Sequence, residues 1–111
     1  VIKLFRVVLE ALLQGLPEEQ MCIAKLRESI AIDGLCTGSQ LVFVCSYGST
    51  LTKFSIVEEP AKALQHTILT GAYKALTLQI VVEGEKPDEV VKTVDLIYKS
   101  LKDCGILLKL L

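Results

Sequence analysis

Apolar residues recur along this chain in two rhythms, one near 3.6 residues and one of period two, and each rhythm predicts its own kind of element. Over residues 2–14 the polar positions Lys3, Arg6, Glu10 and Gln14 are spaced three, four and four apart, which predicts a helix with one narrow polar stripe. Val8 and Leu12 lie at the centre of the opposite arc, with Leu4, Val7 and Ala11 on one flank and Ile2, Leu9 and Leu13 on the other. That arc fills roughly two-thirds of the helix circumference, wider than the ~100° stripe of an ordinary surface helix. Gly15 suits a left-handed cap, and Leu16-Pro17 stops the helix.

Pro17, Glu18 and Glu19 have the composition of a new helix start, with carboxylates at the positive end of the dipole. Ile23, Leu26 and Ile30 then share a face, which favours a helix to about Ile32 capped by Gly34. Ile30 and Ile32 also alternate ahead of Asp33-Gly34, a hairpin turn signal, so a strand over part of 28–36 is the competing reading. Leu41 to Cys45 is apolar on both faces and predicts a central strand covered on both sides. Gly48 supplies a turn, and Thr50–Val57 forms the next strand. Leu51 differs in parity from Phe54 and Ile56, so a bulge near Thr52-Lys53 is expected to bring the three to one face.

Glu59-Pro60 opens a predicted third helix ending at Gly71, with Ala61, Leu64 and Ile68 inward. Leu76, Leu78, Ile80 and Val82 alternate with Thr77, Gln79, Val81 and Glu83, a strand with one apolar and one mostly polar face. After Gly84 and Pro87, Val90, Val94, Ile97, Leu101 and Cys104 draw the clearest helical stripe in the chain. Asp88, Lys92, Asp95 and Lys99 make its solvent face, Gly105 caps it, and Ile106 to Leu111 reads as a closing strand. The expected architecture over 1–111 is a single two-layer α+β domain. Its sheet is small and largely antiparallel, of about three to four strands, with helices packed on it.

Composition narrows the functional classes. Lys and Arg number 12 against 13 Asp and Glu, so no basic field is available for nucleic acid or anionic lipid. No apolar run approaches the ~18 residues of a membrane span. Lys3, Arg6 and Glu10 also break any signal-peptide core, so export is not expected. Cys22, Cys36, Cys45 and Cys104 form no Cys-x-x-Cys pair and have no second histidine to complete a zinc set. They read as free thiols in a reducing, cytoplasmic setting.

Candidate chemistry is sparse. The single histidine, His66, falls on the polar side of its helix with no nucleophile or carboxylate assigned to it, and reads as a surface residue. The segment Gly34-Leu35-Cys36-Thr37-Gly38-Ser39-Gln40 gathers hydroxyls, a thiol and backbone donors, but it lacks the lysine and spacing of a phosphate loop. Ser46, Ser49 and Thr50 around Gly48 do not form a nucleophile elbow, and Glu83 and Glu85 flank Gly84 as in a solvated turn. No catalytic residue, metal ligand or cofactor is assigned.

Hydrophobic residues nevertheless make up 51% of the chain, and mean hydropathy is +0.51. An apolar patch of more than a few hundred Å² is rarely left to water, so a flank of the first helix is the expected interface, drawn from Leu4, Val7, Val8, Leu9 and Leu13. The leading expectation is a small non-catalytic interaction or oligomerisation domain, as a homo-oligomer or bound to a protein partner. The alternative is a ligand-sensing regulatory domain with a small molecule at a subunit junction, near Gly34, Cys36, Thr37, Gly38, Ser39, Tyr47 and Gly48. A small enzyme with a site shared between subunits, using Cys36, His66 and the turn serines, is a third.

Overall fold

A computed structural model describes residues 3–58 and 76–111. In chain order these form β1 (Phe5–Leu13), α1 (Pro17–Asp33), β2 (Leu35–Gly38), β3 (Val42–Tyr47), β4 (Thr50–Glu58), β5 (Leu76–Gly84), α2 (Pro87–Lys102) and β6 (Lys109–Leu110). The strands make one antiparallel sheet in the order β2-β3-β4-β5-β1-β6, with the two described helices on one face. The α+β class expected from the pattern holds, but the sheet has six strands rather than three or four.

Two strands are added: β2, in the segment Gly34–Gln40 read as a loop, and β1, in the segment read as the first helix. Residues 5–13 pair along their whole length with β5, from Phe5 opposite Gly84 to Leu13 opposite Leu76. Leu9, Ala11 and Leu13 point to the helices and are buried, while Arg6, Val8, Glu10 and Leu12 have the opposite parity. Arg6 and Glu10 are four apart, an interval that keeps two residues on one face in a helix and in a strand alike. The two further members of the apparent polar stripe, Lys3 and Gln14, lie outside the strand. With them removed, the β-branched Val7 and Val8 and the odd-numbered apolar series fit a ladder position buried from one side.

The second predicted helix is α1, with Gly34 as its C-cap, so the strand alternative for 28–36 holds only from Leu35 onward. The Glu19 carboxylate fixes its start by accepting hydrogen bonds from the Leu16 and Gln14 backbone N–H groups, each at 2.9 Å. Cys22, Ile23, Leu26 and Ile30 form its buried face. The last helix also lies where the pattern placed it. Val90, Ile97 and Leu101 are buried, and Gly105 at φ +82° closes the helix as the Ile106 N–H reaches the Leu101 carbonyl at 2.9 Å. Asp95 pairs with Lys99 at 2.9 Å. The closing strand is shorter than expected, only Lys109–Leu110 opposite Glu10 and Leu9.

No bulge interrupts β4. It pairs in continuous register with both neighbours, so Phe54 and Ile56 face the helices, Leu51 faces away, and Thr50 and Thr52 take the inner positions instead. The inner Thr50 hydroxyl is 3.4 Å from the Glu89 carboxylate, which also accepts a 2.8 Å hydrogen bond from Ser49. These bonds tie the β3–β4 turn to the first turn of α2, and Gly48 supplies the turn's positive φ of +57°. β3 is not covered on both sides: Val42 and Leu41 are exposed, and only Phe43 and Cys45 are buried. The predicted helix over 60–71, with His66, lies outside the described residues.

The four cysteines are not free. Cys36 and Cys45 stand directly opposite each other across β2 and β3 and form a disulfide, and a second joins Cys22 of α1 to Cys104 beyond α2. Both pairings depend on which strands are neighbours and which helix faces meet. Cysteine spacing in the sequence carries neither fact. With both pairs bridged, the cysteines give no support to a reducing compartment.

Candidate interaction surface

The residues grouped as a possible ligand loop lie at two ends of the edge hairpin rather than around one pocket. Gly34 is beside Ser46, at the same end as Tyr47 and Gly48, and a Cβ there would run into the Ser46 carbonyl oxygen. It is a close-packing glycine. Gly38 and Ser39 lie at the far end, since Gly38 pairs with Phe43 while Leu35 pairs with Ser46. There Arg27 donates to the carbonyls of Ser39 at 3.1 Å and Gly38 at 3.3 Å, with its guanidinium 4.7 Å from the centre of the Phe43 ring. The Ser39 hydroxyl oxygen accepts from the backbone N–H groups of Val42 and Leu41. Several polar groups that a ligand would use are thus engaged in holding the hairpin. Thr37 points to the opposite face from Cys36, whose sulfur is bonded to Cys45 and is no nucleophile.

The five residues expected at an interface are divided by strand parity. Leu9 and Leu13, each 3% exposed, belong to the core. Val8 lies on the outer sheet face, Leu4 is exposed ahead of β1, and Val7 packs at the margin of the core. Val7 and Leu9 do meet a groove, one that the helical reading could not locate. It runs between α2 and the β1–β6 edge, holds about 400 Å³, and is lined by Val7, Leu9, Val91, Val94, Tyr98, Leu108 and Leu110 with Asp95. Val91 is 63% and Leu110 68% exposed.

Sequence reasoning passed over Val91 and Tyr98. They are seven residues apart, two helical turns, so they extend the α2 apolar stripe sideways past Val94. That signal was present and was obscured by the cleaner charged series on the same helix. Among the described residues the groove has one charged lining residue, Asp95, and it is already paired with Lys99. Among the described residues no cluster of three or more His, Cys, Asp or Glu could hold a metal ion. No described helix is long and apolar enough to cross a membrane. The chemistry offered by the groove is the removal of apolar surface from water.

The chain matches no known protein family, and no curated protein or solved structure shows significant similarity to it.

Proposed function

We propose that this chain is a non-catalytic interaction domain that self-associates through the groove between α2 and the β1–β6 edge. The observation that carries the reading is the apolar lining of that groove, with Val91 and Leu110 raised beside it and one neutralised charge within it. A contact between identical patches suits it: the formal charge of the whole chain is only −1, and among the described residues the groove presents no uncompensated charge that would select an acidic or basic partner.

Light scattering over a wide concentration range tests this. The wild type is expected to be a dimer and Val91→Glu a folded monomer, because the new carboxylate would be desolvated only in the dimer. A wild type that stays monomeric at every concentration, or a Val91→Glu variant of unchanged mass, would sink the proposal.

A further inference from the structure

The strand registers make the outer face of the sheet a lattice. Lys53 of β4 lies between Val44 of β3 and Val81 of β5; the next row toward one end holds Leu51, Glu83 and Arg6, and the next toward the other holds Ser55 and Gln79. These eight residues line a depression of about 370 Å³. Its charges are unequal. Arg6 Nε is 3.2 Å from Glu83 Oε1, so that pair is neutral, and Glu10, opposite Gln79 in register, has an interaction of its own. Lys53 makes no ion pair or hydrogen bond through its side chain among the described residues. An uncompensated ammonium therefore rises from an apolar strip, with Ser55 and Gln79 beside it as further donors.

We propose that this depression binds a small amphipathic carboxylate, its acyl or aryl body resting on Val44, Leu51 and Val81 and its carboxylate on the Lys53 ammonium. The volume lies within the roughly 300–1,000 Å³ of small-molecule sites, and a few polar groups over an apolar floor is their usual composition. A peptide strand suits the place less well. The backbone groups of β4 and β5 are committed to ladders on both sides, so an added strand would find no main-chain partners. The site is on the opposite side of the sheet from the α2 groove and does not depend on self-association.

Octanoate is the probe, followed by amide chemical shifts of the labelled protein, with octanol as its neutral counterpart. Saturable shifts centred on residues 44, 51, 53 and 81 are expected. Losing one charge-assisted hydrogen bond should weaken binding about tenfold, in Lys53→Met with octanoate and in the wild type with octanol. Shifts that never saturate, shifts mapping to Val91 and Tyr98, or octanol binding as tightly as octanoate would each overturn the proposal. Lys53→Met that keeps full affinity would do the same, and the octanol comparison stands even if that variant folds poorly. Saturable binding of an acidic apolar peptide in place of octanoate would assign the face to a protein partner instead.

Discussion

Phe54 and Lys53 are adjacent in β4, yet they belong to different molecules in energetic terms. Phe54 is 0% exposed and stacks on Phe43 with ring centres 4.5 Å apart, while Lys53 stands on the outer face with its charge unmet among the described residues. The same division runs through β1 and β5, where Leu9 and Ile80 are sealed beneath the helices and Leu12 and Gln79 are not. The inner face has a fixed partner supplied by its own chain and is specified residue by residue. The outer face is a compromise of valines, leucines and charges, which suits a surface that meets other molecules. A one-residue slip would exchange the two sets, so register is the quantity this fold protects.

The bridge on the helix side should give the largest effect. Cys22–Cys104 closes a separation of 82 residues and Cys36–Cys45 one of 9. In the loop-entropy account, removing the first as a double serine variant costs about 4.5 kcal/mol and removing the second about 2.5 kcal/mol. Denaturant unfolding of the two variants checks the order, and thiol titration of unfolded wild type should find no thiol before reduction. Equal losses, or thiols counted before reduction, would break the assignment.

Next comes Phe54→Ala, expected to cost about 3–5 kcal/mol because it empties the centre of the inner face. Lys53→Ala, one residue away, should stay within about 0.5 kcal/mol. β1 supplies a comparison that also decides between helix and strand. Leu9→Ala should cost about 2–5 kcal/mol and Leu12→Ala, at 47% exposure, under about 1 kcal/mol. A helix over 2–14 demands that Leu12 be the costly one, since it sits at the centre of the helical arc. Thermal melts of the two variants therefore test the secondary structure itself.

What the sequence revealed followed the strength of each periodicity. The β5 alternation and the α2 stripe are long, clean and bounded by Gly84, Pro87 and Gly105, and both elements formed where the pattern put them. β1 was illegible for a specific reason: the interval between Arg6 and Glu10 is common to both periods, and only pairing with β5 breaks the tie. β4 misled through its threonines. Thr50 and Thr52 are polar by type but inner by register, which made Leu51 look as though it needed a bulge to come inside. The groove at α2 was half legible: Val91 and Tyr98 keep helical spacing, but Leu110 and Val7 reach it only through tertiary packing. The disulfides could not be read at all, because every pairing of four cysteines is equally allowed by spacing alone.

The one substitution expected to raise stability rather than lower it falls at Thr77, which among the described residues is an outer-face position that behaves like an inner one. Thr77 has outer parity, between Leu12 of β1 and Val57 of β4, but is only 5% exposed, and among the described residues its hydroxyl oxygen has no hydrogen-bond partner. An unpaired buried hydroxyl carries its desolvation cost without return. Thr77→Val keeps the branched shape and removes that cost, so it should raise stability by about 1 kcal/mol, read as a shift of the denaturation midpoint at constant slope. Val is also at ease in a central strand, which adds in the same direction. A loss of stability instead would mean that the hydroxyl is hydrogen-bonded in solution, and that this corner of the outer face is held by polar contacts rather than by packing.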